Sequence, residues 1–240
     1  MDFDNSLDEL SLSYNGGKDC LVLLILYLCA LHTHFHKPRP PTPGNHEPPS
    51  PPPHKQDQQQ QQQQSRPQPQ TSPDDFPTAL NTVYIPPPSP FPAVETFILL
   101  SARTYHLTLS RHPYPMKSAF STYLASHPAI RAIFVGTRRT DPHGNTLTAF
   151  DPTDRGWPSF MRVHPVVEWH YAEIWAFVRE VEVPYCGVYD EGFTSLGGTE
   201  DTRRNPRLRV EGSGDGGREE RYRPAYELVE DEEERLGRER

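Results

Sequence analysis

The stretch best equipped for chemistry is Ser13-Tyr14-Asn15-Gly16-Gly17-Lys18-Asp19-Cys20. Paired glycines let a backbone come close to a ligand and accept a positive φ. With a helix starting near Cys20, the amides of Gly16, Gly17 and Lys18 point outward at its N-terminus. There, unpaired N–H groups and the helix dipole favour an anion such as pyrophosphate. Lys18 adds a mobile positive charge. The spacing excludes a Walker loop, which is longer and follows its lysine with Ser or Thr. A plain strand-to-helix turn with a solvated lysine uses the same residue types. The flanking order, strand before and apolar helix after, favours phosphate.

Two other stretches carry suitable side chains. Gly136-Thr137-Arg138-Arg139-Thr140-Asp141-Pro142 follows the apolar run Ala132–Val135, at what would be the carboxyl end of a strand, where ligands of open parallel sheets bind. Its arginines and acid suit phosphate, ribose or metal contacts, though alone they read more simply as an Asp-Pro turn. The stretch 152–165 gathers Asp154, Trp157, Phe160 and Arg162. Such a loop could stack on a planar ring or, equally, cover a sheet edge.

The elements that must position these residues follow from periodicity. Leu10–Tyr14 alternates as a strand, and Cys20–Leu31 is apolar all round, as a buried helix is. Thr82–Ile85, Leu107–Leu109 and Ala132–Val135 read as further strands, the last buried on both faces. Val94–Tyr105 and Met116–Ser126 read as helices, the second stopping ahead of Pro128. The order β-α-β-α-β-α-β predicts an α/β fold, a parallel twisted sheet with flanking helices. Val166–Val181 predicts one more helix, with Tyr171, Ile174, Trp175, Val178 and Val181 on one face.

Composition sets the limits. Of 240 residues 28 are proline, and 18 of these fall between Pro38 and Pro92, alongside a glutamine run from Gln58 to Gln64. Such a segment cannot bury enough apolar surface to offset its ordering entropy. Residues 37–80 are therefore expected to be a disordered insert, 1–36 with 81–208 the folded domain, and 209–240 a charged C-terminal segment, solvated by composition. The net charge of −8 argues against a nucleic-acid face. Cys20, Cys29 and Cys186 form no CxxC pair, so neither zinc nor a disulfide framework is indicated. Leu21–Leu31 is 11 residues long, too short to span a bilayer, and the acidic start is wrong for secretion. The expectation is a cytoplasmic protein without membrane, nucleic-acid or obligate protein partners.

The first stretch resembles the PP-loop of the adenine nucleotide α-hydrolase-like families, roughly Ser-x-Gly-Gly-Lys-Asp-Ser. With the other two, and with Ser89–Glu95, Tyr185–Gly197, Asn205–Leu208, Arg223–Leu228 and Glu234–Arg238, the chain closely resembles the eukaryotic FAD synthases. These are FMN adenylyltransferases related to phosphoadenylylsulfate reductase. The likeness covers nearly everything outside the insert. Departures are Ala93, where the family commonly has Glu, and a first strand at Leu10, where the family has helices ahead of it. The second departure suggests a truncated chain or a differently packed sheet edge.

The resemblance implies transfer of AMP from ATP to FMN, with Mg²⁺ held mainly by phosphates rather than by protein ligands. It implies catalytic roles for Asn15, Asp19 and Asp141, and phosphate or ATP contacts from Ser13, Tyr14, Gly16, Gly17, Lys18 and Arg138. It implies FMN contacts from Asp154, Trp157, Arg162, Arg235 and Arg238, so the tail would return to the site as an irregular flavin-binding segment. Three alternatives share the loop. A reductase would need a catalytic cysteine near its C-terminus, and none follows Cys186. A tRNA thiolation enzyme would show CxxC pairs. A degenerate, non-catalytic relative would bind nucleotide without turnover.

Overall fold

The computed structural model describes residues 7–36, 77–211 and 220–238. The chain divides into two compact units. One is residues 1–28 with 77–240; the other is Cys29–Phe76, of which only the last turns of the first helix, 29–36, are described. The expected insert at 37–76 lies outside the described residues, as does most of the stretch 211–221 between the C-terminal motifs.

In chain order come β1 (Leu10–Ser13), α1 (Lys18–Phe35), β2 (Leu80–Tyr84), α2 (Pro92–Thr104), β3 (Leu107–Arg111), α3 (Met116–Ser126), β4 (Ala132–Phe134), β5 (Phe150–Pro152), β6 (Met161–Val163) and α4 (Tyr171–Glu180). Short 3-10 segments follow, among them Gly187–Glu191, Pro206–Leu208, Ala225–Glu227 and Asp231–Gly237. The strands form one sheet in the order β3-β2-β1-β4-β6-β5. All neighbours are parallel except β5 on β6. β1 is therefore interior, between β2 and β4, and the strand order reverses beside it, which opens a crevice at the carboxyl ends. Leu12, Val83 and Ile133, one from each of these three strands, are fully buried. Each contributes on the order of 1.5–3 kcal/mol through burial.

Several expectations shift. α1 begins at Lys18, not Cys20, and its 18 residues make it, by length and composition alone, long enough to cross a membrane. Leu21, Val22, Leu23 and Leu24 are nevertheless buried inside the fold. Leu80, placed by sequence in the insert, is a buried residue of β2 paired with Leu107. β6 lies inside the stretch 152–165 expected to be loop, and β5 ends at its first residue; three-residue strands leave too little alternation to detect. The helix expected from Val166 starts only at Tyr171. Val166 and Val167 are buried in a turn instead, Val167 N–H donating to the His164 carbonyl. Val181 lies beyond the end of α4 and is exposed, so the apolar face stops at Val178.

Candidate active site

The glycine turn leaves β1 at its carboxyl end and feeds α1 within four residues. Gly16 holds φ at +72°, and a Cβ there would meet Ile98 Cγ1 of α2 at 2.9 Å, so the position requires glycine twice over. The Asn15 side chain folds back on the turn, and Oδ1 accepts the Gly17 N–H at 2.9 Å. The Lys18 N–H donates to the Tyr189 hydroxyl at 3.0 Å. Two of the three amides expected to face a phosphate are therefore taken. A helix that starts directly after so short a turn must find partners for its first amides.

Tyr14 also departs from expectation. It is buried, and its hydroxyl donates to Ser101 Oγ at 2.9 Å, so its side chain braces β1 against α2 rather than meeting a ligand. Burial raises this phenol above its usual range.

Lys18 is not mobile. It is 2 % exposed, with Nζ 2.9 Å from Asp19 Oδ2 and 2.5 Å from Glu234 Oε1. Arg138, expected at the sheet rim, is fully buried. Its Nη2 contacts Glu234 Oε2, its Nη1 lies 3.1 Å from Asp231 Oδ1, and its Nε lies 2.8 Å from Asp19 Oδ1. That last approach is close but off-axis, so both atoms lack a true hydrogen bond. Burial opposes the charge of Lys18 and of Arg138, yet the surrounding carboxylates outweigh it and hold both groups protonated. Burial raises the Glu234 carboxyl, and Lys18 and Arg138 oppose that rise. We take it as the carboxylate, because a neutral Glu234 would leave two buried cations short of a counter-charge. Asp231 extends the cluster to α4, accepting the Tyr171 N–H at 2.7 Å and meeting His170 Nδ1 at 2.5 Å. The acidic tail run is therefore not solvated throughout. Its Glu234 is 4 % exposed.

Two contiguous cavities open at this end of the sheet, sharing Asn15, Met116 and Leu196. The polar one, about 330 Å³, is lined by Ser13, Gly17, Asp19, Asp141, Ser195 and Arg235 among others. The more apolar one, about 430 Å³, is lined by Tyr84, Pro87, Phe91, Val94, Tyr114 and Arg238 among others. Asp141 uses Oδ2 to accept the Arg138 N–H at 2.8 Å, closing the turn after β4. Cys20 lines the polar cavity, and burial pushes its thiol up to about 12. Arg238 lies 3.2 Å from Asp201. Arg235 makes one long bond, 3.4 Å, to Ser195 Oγ, and among the described residues no carboxylate lies within ion-pairing distance of it.

Asp154, Trp157 and Arg162 line neither cavity. The loop between β5 and β6 enters β6 at the amino end of the parallel strands. It passes α3, where a Cβ on Gly156 would come 3.8 Å from Lys117 Nζ. Arg162 is in β6, its Nη2 donating to the Pro152 carbonyl at 3.0 Å. Lys117 directly follows Met116, which lines both cavities, so the loop passes close beside the site without lining it. Sequence reasoning missed Glu234, hidden in a run of five acids, and Tyr189 and Ser195. The last two lie within a motif whose match was legible but whose roles were not.

A family model described as phosphoadenosine phosphosulfate reductase domain matches residues 108–204. A probable FAD synthase of Schizosaccharomyces pombe is 36 % identical over 96 % of this chain and 72 % of its own length. A Caenorhabditis elegans probable FAD synthase is 33 % identical, and this chain spans 37 % of it. The crystal structure of Candida glabrata FMN adenylyltransferase in complex with FMN and the ATP analogue AMPCPP superimposes with a TM-score of 0.75 at 30 % identity, over 96 % of this chain and 81 % of that one. The chain belongs to the FAD synthase family.

Proposed function

We infer that this protein is a FAD synthase, a nucleotidyltransferase that joins the AMP of ATP to FMN and releases pyrophosphate. The observation that carries this is the pair of contiguous cavities at the carboxyl ends of the strands. One is polar and bounded by the glycine turn and Arg235; the other is apolar enough for a planar ring. Similar C. glabrata structures hold FMN with AMPCPP and, separately, FAD with inorganic pyrophosphate, the two sides of this reaction.

In the step itself an oxygen of the FMN phosphate bonds to the α-phosphorus of ATP. The bond from that phosphorus to the pyrophosphate oxygen breaks, and pyrophosphate leaves with the electron pair. The FMN phosphate is largely dianionic at neutral pH, so no general base is needed. The protein's work is alignment and charge neutralisation. Asn15 stands where the cavities meet. The start of α1 offers its dipole to the phosphates, and Arg235 offers a charge that no carboxylate among the described residues takes. We assign the polar cavity to the reacting phosphates. Asp154, Trp157 and Arg162 are kept as the flavin-side group, on and just after the loop that passes α3 beside Met116.

Among the described residues no cluster of three metal-ligating side chains exists, and Asp19 and Glu234 already serve Lys18 and Arg138. We propose Mg²⁺ bound mainly on the nucleotide's own phosphates, where it would neutralise phosphate charge. A reductase reading is disfavoured, because Cys186 is buried. With all three cysteines free, the cytoplasm remains the proposed location.

The test is to incubate purified protein with FMN and MgATP and to follow FAD by its lower fluorescence and the release of pyrophosphate. Equal amounts of both are expected. Calorimetric binding of both nucleotides without turnover would instead identify a degenerate relative.

A further inference from the structure

The two cations nearest the glycine turn are committed to a protein carboxylate rather than left for phosphate. Lys18 Nζ and the Arg138 guanidinium close on the two oxygens of Glu234 from either side, and all three groups are nearly or fully buried. The next residue, Arg235, lines the same polar cavity but reaches Ser195 Oγ at 3.4 Å rather than either partner of Glu234. Successive residues of a tight 3-10 turn diverge in direction, so fixing one fixes where the other aims.

We propose that Glu234 is a positioning residue: seated in the socket made by Lys18 and Arg138, it holds the C-terminal 3-10 segment in the register that presents Arg235 to the FMN phosphate. This rests on the FAD synthase reading above. It gives Lys18 and Arg138 a different task from the one their sequence suggests. They anchor the segment that delivers the ligand-binding cation.

The segment has other fastenings, which makes the role separable from folding. The Glu234 carbonyl accepts the Thr194 hydroxyl at 2.6 Å, and Asn205 Nδ2 donates to the Glu233 carbonyl at 2.8 Å. Arg203 N–H donates to the Gly237 carbonyl at 2.7 Å. These keep the segment attached when the Glu234 side chain is changed, while its tilt and the aim of Arg235 are no longer fixed.

The experiment is steady-state kinetics on the full chain for Glu234→Gln, Arg235→Ala and the double variant, with circular dichroism for each. Glu234→Gln is expected to raise KM for FMN about tenfold and leave KM for ATP within about twofold. In the Arg235→Ala background it should add no more than about twofold, because residues acting through one another are not additive. A purely structural role would move both KM values together or lower kcat alone. A wild-type KM for FMN in Glu234→Gln, or full multiplication in the double variant, overturns the proposal. If Glu234→Gln does not fold, Glu234→Asp keeps the charge and shortens the reach. A raised KM for FMN then supports the assignment, and an unchanged one overturns it. A wild-type chain that makes no FAD removes the functional reading and this assignment with it. An active wild-type chain with additive variants removes this assignment alone.

Discussion

The hydroxyl of Tyr189 accepts the backbone N–H of Lys18 at 3.0 Å, across 171 positions of sequence. The N-terminus of α1 is therefore capped by a side chain from the second half of the chain. Tyr189 also packs edge-on against Trp175, with ring centroids 5.1 Å apart. Tyr189→Phe keeps that packing and leaves a buried amide without its partner. We expect a loss of about 1–3 kcal/mol, read from urea unfolding midpoints, with the sheet core otherwise intact.

Asn15 and Asp19 are expected to behave differently. Asn15 touches only the turn, so Asn15→Ala should remove most activity with a stability loss of about 1 kcal/mol or less. Asp19 neutralises Lys18 and faces Arg138. Asp19→Ala strips a buried charge cluster of one member and should cost about 3–5 kcal/mol. Thermal or urea denaturation run beside the FAD assay separates the two. Equal stability of both variants would mean the cluster contributes little.

Gly136 lets β4 and α1 meet. A Cβ there would lie 2.9 Å from both the backbone nitrogen and the Sγ of Cys20. Backbone cannot yield as a flexible side chain can, so Gly136→Ala should push the start of α1 away from the sheet. The expected cost is about 1–3 kcal/mol with loss of turnover. Denaturant unfolding and the FAD assay on the same preparation check it.

The outer edge of the ion cluster should be pH-sensitive. Hydrogen bonding to Asp231 raises His170 above its usual value. Asp231 is partly buried, which works against its charge, but the bonds from His170 and the Tyr171 amide keep it below the usual carboxylate range. A raised histidine contributes stability that is fully present below its unfolded pKa of about 6.5. That contribution is lost as pH rises through the higher folded value. The Asp231 contribution is present above about pH 3.9 and is lost as pH falls through its lowered folded value. Unfolding midpoints measured from about pH 5 to about pH 9 should fall toward the alkaline end. The His170→Gln variant should lack that slope, and an identical slope in both would assign it elsewhere.

Local pattern determined a good deal of this protein. The alternation of Leu10–Ser13, the glycine pair, the apolar runs of α1 and β4 and the proline after Ser126 specify three βα units and a fourth strand in order. That order with short crossovers dictates a parallel sheet and a crevice at its carboxyl ends. These are properties of neighbours in sequence, where period and turn chemistry act. The charges were decided only in three dimensions. Nothing local distinguishes Lys18 or Arg138 from a solvated cation, or Glu234 from the four acids before it. Their roles follow from the C-terminal segment returning to pack on α1 and β4, where burial makes an unpaired charge prohibitively costly and so fixes who pairs with whom. Tyr14 likewise reads as a ligand group by type, yet the strand's alternation turns it into the core.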